Sequence, residues 1–337
     1  MKVDGGPGTK APLDAIGPAS AAAERDGYDG VFVPETIHDP FVVLTLAAQA
    51  TERVELGTKV AIAFARSPMA LAYTANDIQQ LSGGRLVLGL GTQVKAHIVR
   101  RFSMPWERPA ARMREYVLAL RAIWDSWNDG TPLEFRGEFF THTLMNPLFC
   151  PPPNPFGRPQ VMMAGVGTRM IEAAGEVADR FACHSFTSPA YLADVIKPAL
   201  ARGAAKVGRA PSDLEVAITC YVATGNTAAE IDEAALQMRR QVAFYGSTPA
   251  YTAVLDHHGF GGLHEELHAA SRRGEWEAMG ERIDDDMLRT YCVVEPPERV
   301  AGEILRRFGG LADRVSFYYL GAARIDWAPI VAELQAG

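Results

Sequence analysis

The chain has 337 residues, 48% of them hydrophobic, so it can bury a large core. Its formal net charge of -7 and its lack of a basic stretch argue against a nucleic-acid partner. The four cysteines form no Cys-x-x-Cys pair, the amino terminus lacks the apolar region of a secretory signal, and no run is long enough to span a membrane. We therefore expect a reduced, cytoplasmic protein.

Apolar runs alternate with amphipathic segments along the whole chain. Strands without polar alternation are buried on both faces, which is typical of a parallel sheet covered by helices. The predicted strands lie near 1–4, 30–35, 54–64, 85–92, 160–166, 180–186, 214–223 and 314–321. The predicted helices lie near 13–26, 41–51, 68–82, 109–128, 168–178, 189–207, 227–245 and 297–309. Eight βα pairs predict an α/β fold, a (β/α)8 TIM barrel forming one domain over 1–337, because doubly wound sheets rarely reach eight units.

Two segments interrupt this repeat. Residues 133–142 place Gly137 between two short β-prone runs, which predicts a hairpin before strand five. Residues 258–292 hold three glycines, a charged helical stretch and three consecutive aspartates. A long insertion on the catalytic side of a barrel is often a lid, so we expect a lid-like segment there.

Glycines after the fourth and fifth strands indicate ligand contacts. Gly89-Leu90-Gly91 does not continue as a dinucleotide-binding motif, because Val94 occupies the third glycine position. We interpret Gly89 and Gly91 as positions that let a bulky planar ligand lie close to the backbone. The loop 164–168 exposes backbone N–H groups at a helix start, which suits a phosphate.

A second helix start lies on the next strand, where Ser185 to Ser188 precede Pro189. Each of the two loops could be an ordinary capping turn. Because they follow adjacent strands, together they could form one anion pocket. His264 and His268 stand at helical i,i+4 spacing, but a solvated helix in the predicted lid is the better interpretation than a zinc site, and we expect no metal.

Titratable and polar side chains follow strands two and four. Glu35 and His38 come after strand two, and Gln93 and His97 come after strand four. The carboxyl ends of barrel strands carry the chemistry, so these four are the candidate catalytic residues. Arg66 either points into the same mouth or pairs with Glu35.

Arg85 belongs to the opposite, stabilising end of the barrel. No nucleophile elbow or phosphate-binding Walker loop is present. The chemistry is therefore expected from a bound organic cofactor.

Several short runs together carry a family resemblance: Leu56-Gly57-Thr58-x-Val60, Arg66-Ser67-Pro68, Leu81-Ser82-x-Gly84-Arg85 and Leu88-Gly89-Leu90-Gly91. With Arg114 to Trp124, Phe135-x-Gly137 and Ala164-Gly165, they resemble the luciferase-like monooxygenase superfamily over most of 10–210. Within it, the chain looks most like the deazaflavin-using branch, the F420-dependent oxidoreductases.

The resemblance implies a TIM barrel that binds coenzyme F420 at its carboxyl-terminal mouth, with the ring over the ends of strands three and four. A non-proline cis peptide that backs the ring in this family corresponds to Lys59-Val60. The implied cofactor-binding residues are Lys59, Val60, Ala61, Ala63, Gly91, Thr92, Gly165, Val166, Gly167, Thr168, Thr187 and Ser188.

The implied reaction is hydride transfer between the deazaflavin and a small organic substrate, with Glu35, His38, Gln93 or His97 as proton relay or polarising group. Known deazaflavin members carry Asp-His after strand two, whereas this chain has Glu35-Thr36 with His38 two residues on. The alternatives are an FMN-dependent monooxygenase that uses reduced flavin and O2, and a non-catalytic flavin-binding protein. The resemblance also implies a homodimer, whereas the charge and the lack of a membrane-spanning run predict no nucleic-acid or membrane partner.

Overall fold

The computed structural model describes residues 1–337, and strands and helices alternate along them. The strands are β1 (Lys2–Gly5), β2 (Gly30–Val33), β3 (Glu55–Thr58), β4 (Ala61–Ile62), β5 (Leu86–Gly91), β6 (Phe135–Arg136), β7 (Thr141–His142), β8 (Gln160–Ala164), β9 (Arg180–Ala182), β10 (Glu215–Ala223), β11 (Cys292–Val294) and β12 (Arg314–Tyr319).

The helices are α1 (Leu13–Arg25), α2 (Pro40–Ala50), α3 (Pro68–Leu81), α4 (Lys95–Arg100), α5 (Pro109–Asp129), α6 (Thr168–Val177), α7 (Pro189–Tyr191), α8 (Lys197–Lys206), α9 (Ala228–Gly246), α10 (Thr252–His257), α11 (Leu263–Arg273), α12 (Trp276–Gly280), α13 (Asp285–Tyr291), α14 (Pro297–Phe308) and α15 (Ala328–Ala336). A π-helical turn, Leu192–Ile196, joins α7 to α8. None of these helices combines the length and apolar composition needed to cross a bilayer.

Ten strands form one sheet with the order β11-β10-β12-β1-β2-β3-β5-β8-β9. Strand β4 also pairs with β5, and β9 pairs with β10, which closes the sheet. Strand β4 continues the position of β3, and β11 adds to β10, so eight barrel positions result. The predicted (β/α)8 barrel is confirmed.

The predicted elements agree closely with the observed ones. The predicted strand 54–64 is interrupted by a cis peptide at Lys59-Val60 and becomes β3 and β4. The hairpin within 133–142 is β6 and β7, with Phe135 opposite His142. The segment 258–292 is largely helical. Strand β11, which pairs Cys292 with Tyr221, was not predicted from the sequence.

The chain divides into two compact units. The amino-terminal unit comprises Asp4–Ala182 and Ala199–Glu215. The carboxy-terminal unit comprises Met1–Val3, Cys183–Pro198 and Val216–Gly337. The single domain expected over 1–337 stays a prediction.

Gly89 lets two strands of the amino-terminal unit lie unusually close together. A Cβ atom added at Gly89 would lie 1.8 Å from the carbonyl oxygen of Thr58 and 2.9 Å from Cε of Met162. Thr58 Oγ1 donates to the Gly89 carbonyl oxygen at 2.6 Å. The space beside Gly89 is therefore filled by protein, so the interpretation that Gly89 makes room for a planar ligand is wrong. Only the absence of a side chain permits this β3–β5 contact.

Arg85 anchors the amino-terminal end of β5, as predicted. Its guanidinium donates to the carbonyl oxygens of Ser82 (2.7 Å), Val54 (2.8 Å) and Thr51 (2.8 Å). These carbonyls belong to the turns that follow α2 and α3. One half-buried cation thus satisfies several backbone acceptors that the helices leave free.

Arg180, at the start of β9, makes a second anchoring contact. Its side chain is 5% exposed and donates through both terminal nitrogens to Glu55 at the start of β3, at 2.8 and 2.9 Å. Glu215 lies 3.4 Å from the same guanidinium. Two parallel N–H···O hydrogen bonds from one guanidinium to one carboxylate pair this buried arginine with Glu55.

Three of the four cysteines are buried, namely Cys183, Cys220 and Cys292, whereas Cys150 is half-buried. Burial raises the pKa of the Cys220 thiol to about 12, and it also raises the pKa of Cys292. These thiols act as small apolar side chains, as expected for cysteines inside strands.

We predict that Gly89→Ala lowers the free energy of unfolding by about 3 kcal/mol, because the new methyl group forces β3 and β5 apart. The measurement is urea denaturation followed by circular dichroism. Gly262→Ala is the matched control, since a Cβ atom there meets nothing within 4 Å. Equal urea midpoints for the two variants would contradict the close approach of the strands.

Candidate active site

The carboxyl ends of β4, β5 and β8 form one continuous edge in the amino-terminal unit. Ile62 of β4 lies opposite Gly91 of β5, and Leu90 lies opposite Met163 of β8. Neighbouring strands are about 4.8 Å apart, so the loops that leave these three strands start within about 10 Å of one another. The predicted residues Val60, Ala61 and Gly91 are therefore brought together.

The carboxylate of Glu35 ties the loop after β2 to this edge. Its Oε2 atom accepts hydrogen bonds from the backbone N–H of Ile62 and from Nη1 of Arg66, both at 2.7 Å. The Glu35 side chain is 9% exposed and that of Arg66 is 20% exposed. Arg66 thus pairs with Glu35, the second of the two alternatives that the sequence left open.

Arg66 also binds the start of α2. Its Nη2 atom donates at 2.9 Å to Oδ2 of Asp39, whose Oδ1 accepts the N–H of Phe41 as the cap of that helix. Burial lowers the pKa of Arg66, but the hydrogen bonds and charges of Glu35 and Asp39 outweigh it and raise the pKa overall. The guanidinium is therefore a fixed cation that holds two loops in place.

The residues predicted to back a cofactor ring differ in accessibility. Ala61 and Ala63 are fully buried, whereas Val60 and Thr92 are half-buried. A Cβ atom at Gly91 would lie 2.6 Å from Cγ2 of Val60, so this glycine makes room for the Val60 side chain. The surface available to a ligand here consists of Val60 and of the backbone near Thr92.

The remaining predicted catalytic residues lie on exposed loops and on α4. Gln93 has a φ of 60°, and its Oε1 accepts the N–H of Val94 at 2.9 Å. A positive φ in a residue other than glycine is found preferentially at functional sites. His97 is exposed, His38 is half-buried, and neither imidazole has a hydrogen-bond partner in the protein. Both remain free to contact a ligand.

A group of aromatic side chains that was not predicted from the sequence includes Phe64, which directly follows β4 in the amino-terminal unit. Phe64 packs edge-to-face on Trp106 at 5.8 Å between ring centroids. The guanidinium of Arg112 lies over Phe64 at 4.6 Å and over Phe140 at 5.6 Å. Tyr116 donates its hydroxyl hydrogen to the carbonyl oxygen of Arg66 at 3.2 Å. The cluster joins α5 to the Glu35–Arg66 pair.

The start of α6 carries the predicted anion-binding loop. Gly167 is the N-cap, no side chain caps the helix, and a Cβ atom there would meet nothing within 4 Å. Val166 is half-buried and Thr168 is exposed, whereas a Cβ atom at Gly165 would lie 2.3 Å from Cγ of Met170. The first backbone N–H groups of α6 are thus open at the positive end of the helix.

Thr187 and Ser188 belong to the carboxy-terminal unit. Ser188 Oγ accepts the N–H of Tyr191 at 3.0 Å and lies 2.6 Å from Nε2 of His258. Its hydroxyl is therefore used as a helix cap. Thr187 is 5% exposed, and its Oγ1 has no partner in the protein. That these residues form one anion pocket with the α6 loop stays a prediction.

His184, which the sequence reasoning did not single out, follows β9 in the same loop. Its ring packs against Tyr245 and Tyr251, at 4.5 and 4.6 Å between centroids, and its Nδ1 accepts the N–H of Phe186 at 3.0 Å. Burial lowers the pKa of His184 to about 4. The available signal was its position, a titratable residue directly after a barrel strand.

The segment predicted as a lid is attached to the end of α9. His264 Nδ1 lies 2.8 Å from the carbonyl oxygen of Gly246, and His268 Nδ1 lies 2.9 Å from that of Ser247. The two imidazoles therefore cap the last carbonyls of a helix instead of facing solvent as expected.

We predict that Glu35→Ala lowers the free energy of unfolding by about 2 kcal/mol, because it leaves the half-buried guanidinium of Arg66 with Asp39 alone. Asp125→Ala is the matched control, since it breaks the exposed Arg158–Asp125 pair, whose loss costs less than about 0.5 kcal/mol. Urea denaturation of both variants at pH 7 measures the difference. A Glu35→Ala effect no larger than the control would show that the pair is not structural.

Because burial lowers the pKa of His184, we predict that the protein loses stability in acid. The unfolded imidazole titrates near 6.5 and the folded one near 4. Its contribution is therefore complete above pH 6.5 and is lost as the pH falls from 6.5 to 4. We expect the wild type to lose about 2 kcal/mol more than His184→Gln over this range, measured by urea denaturation at each pH. Parallel pH profiles would show that His184 is protonated normally in the folded protein.

The amino-acid sequence is similar to those of known proteins. A protein of uncharacterised function from Mycobacterium tuberculosis is 52% identical over 306 residues, which cover 91% of this chain and 90% of that protein. The 5,10-methylenetetrahydromethanopterin reductase of Archaeoglobus fulgidus is 27% identical over 291 residues, covering 84% of this chain and 82% of the reductase.

Proteins of known structure share this fold. The coenzyme F420-dependent tetrahydromethanopterin reductase of Methanopyrus kandleri superposes with a TM-score of 0.79 over 99% of this chain and 96% of that one, at 20% identity. The family model described as luciferase-like monooxygenase matches residues 1–314. The chain therefore belongs to the luciferase-like monooxygenase family.

Proposed function

We propose that the protein is an oxidoreductase that binds coenzyme F420 and transfers a hydride between its deazaflavin and a small organic substrate. The observation that carries the proposal is the edge formed by β4, β5 and β8. Half-buried Val60 directly precedes β4, and the uncapped start of α6 follows β8, with β5 between the two strands. The similarity in sequence to a 5,10-methylenetetrahydromethanopterin reductase, together with the similarity in fold to a coenzyme F420-dependent tetrahydromethanopterin reductase, supports the choice of F420.

The residues of the amino-terminal unit fit such a cofactor. A planar ring needs an apolar wall, which Val60 offers, with backbone groups near Thr92 beside it. A phosphate needs several N–H donors, which the first turn of α6 offers around Gly167. When bound, the deazaflavin would supply a two-electron hydride donor or acceptor.

The side chains divide into positioning and proton-handling groups. Glu35 is occupied by Arg66 and by the N–H of Ile62, so we assign it a positioning role at the ring-binding edge. Glu35 also remains one of the candidates for the proton relay. His38 and His97 have free imidazoles, and we assign proton transfer to one of them. Gln93 presents its backbone to the ligand, because its side chain binds Val94.

The rival proposal is an FMN-dependent monooxygenase, which the description of the matching family favours. The same apolar wall and helix start would hold FMN and its phosphate. A non-catalytic flavin-binding protein would use them as well but would lack turnover. We further propose a small-molecule substrate and a homodimer.

Titration of the purified protein with F420 and, separately, with FMN tests the proposal through ligand fluorescence. We expect saturable micromolar binding of F420 and much weaker binding of FMN. A preference for FMN would support the monooxygenase. Failure of both to bind would overturn the assignment of a flavin-type cofactor.

Gly167→Asp tests the helix start in the same titration. Aspartate is a favourable N-cap, so the variant should fold, but its charge repels a phosphate. We expect about tenfold weaker F420 binding, equivalent to about 1.4 kcal/mol. Gly262→Asp is the matched control, because this glycine is also an N-cap with open space around it. Equal F420 affinities in the two variants would show that the phosphate does not bind at the start of α6.

A further inference from the structure

Two histidines on α11 in the carboxy-terminal unit have no part in the proposed cofactor site. We define the histidine pair as His264 and His268, the ends of the run His264-Glu265-Glu266-Leu267-His268, which matches the pattern His-Glu-x-x-His. Their rings are nearly parallel, with 22° between the planes and 5.7 Å between the centroids. The two imidazoles therefore lie side by side on one face of the helix.

Hydrogen bonds to the end of α9 determine which ring nitrogen carries the hydrogen. Nδ1 of His264 lies 2.8 Å from the carbonyl oxygen of Gly246, and Nδ1 of His268 lies 2.9 Å from that of Ser247. A carbonyl oxygen can only accept, so each Nδ1 is the donor and each neutral imidazole has its lone pair on Nε2. Histidines that bind metals commonly have this arrangement, with the second ring N–H held by a backbone carbonyl.

Both Nε2 atoms are available to a ligand. Neither has a hydrogen-bond partner in the protein, and neither is enclosed. Both histidines are half-buried. The Nδ1 edge of each ring is thus held against the end of α9, and the Nε2 edge is accessible from outside the chain.

The packing of α11 on α9 keeps the two rings in place. Leu267 is fully buried, and a Cβ atom at Gly246 would lie 3.0 Å from its Cδ1 atom. Ala270 is fully buried as well. Two ligands whose side chains are already fixed by packing and by hydrogen bonds lose little conformational freedom when they bind an ion, which favours binding.

The electrostatic surroundings of the histidine pair favour a cation. Helix α9 is 19 residues long, and its carboxyl end carries the partial negative charge of the helix dipole. The carbonyl oxygens of Gly246 and Ser247 lie at this end. An ion bound to Nε2 would be separated from these carbonyls only by the width of an imidazole.

We propose that the histidine pair binds a divalent transition-metal ion such as Zn²⁺ through its two Nε2 atoms. Two histidines at i,i+4 on one helix face share one zinc ion in the His-Glu-x-x-His motif. Imidazole suits Zn²⁺, Ni²⁺ and Cu²⁺, whereas Mg²⁺ and Ca²⁺ prefer oxygen ligands.

Water completes the coordination, because no third histidine, cysteine or carboxylate of the chain joins the histidine pair. Catalytic zinc sites have three protein ligands, so we assign the pair an ion-binding role and not hydrolysis. The site goes beyond the proposed function and needs no bound cofactor.

Isothermal titration calorimetry with zinc chloride tests the site on the full chain without a polyhistidine tag. We expect one equivalent of Zn²⁺ to bind and magnesium chloride to give no binding. His264→Gln should weaken Zn²⁺ binding by at least about tenfold, because it removes one of two ligands. His142→Gln is the matched control, since His142 is a half-buried histidine that packs on Phe135 in the β6–β7 hairpin, and it should leave the affinity unchanged. Unchanged Zn²⁺ affinity in His264→Gln would overturn the proposal.

A second variant tests the spacing of the two histidines. His268→Gln combined with Ala269→His keeps the number of histidines but moves the second imidazole to another face of α11. Ala269 is exposed, so the larger side chain fits there. We expect the same loss of Zn²⁺ affinity as in His264→Gln. Full affinity in the double variant would show that the i,i+4 pair does not form the site.

A measurement on the wild type keeps the proposal testable if the variants do not fold. Diethylpyrocarbonate modifies accessible imidazole nitrogens, and mass spectrometry of the peptides locates each modified residue. One equivalent of Zn²⁺ should protect His264 and His268 and should leave exposed His97 as reactive as before. Equal modification of the histidine pair with and without Zn²⁺ would overturn the proposal.

Discussion

The ion pair between Glu35 and Arg66 determines the local structure on which the candidate cofactor site depends. Glu35 reaches across from the loop after β2 to the N–H of Ile62, and Arg66 extends the contact to Asp39 at the start of α2. The carbonyl oxygen of Arg66 in turn accepts from Tyr116 of α5. Four separate parts of the chain therefore meet around one half-buried pair. A carboxylate with these contacts holds the neighbouring loops in place.

Much of the fold could be predicted because the relevant forces act locally. Buried parallel strands appear as unbroken apolar runs, and Asp39-Pro40 and Ser67-Pro68 mark helix starts that the structure confirms as caps. The pairing of Cys292 with Tyr221 could not be predicted, because a three-residue strand has no period of its own. The occupied space beside Gly89 also depends on a partner, Thr58, that is distant in sequence.

The candidate site residues could likewise be predicted only in part. Position after a strand was enough to nominate Glu35, but only the hydrogen bonds of its carboxylate reveal its role. The i,i+4 spacing of His264 and His268 is also visible in the sequence, but only the structure shows that both Nδ1 atoms donate to carbonyl oxygens at the end of α9.

The unequal burial of the four cysteines has a practical consequence. Cys183, Cys220 and Cys292 are enclosed, whereas the Sγ atom of Cys150 lies in a partly open stretch of proline-rich chain between β7 and β8. A maleimide dye added to the folded protein should therefore attach at one position without any mutagenesis. The native sequence thus supplies its own attachment point for a fluorophore or a solid support.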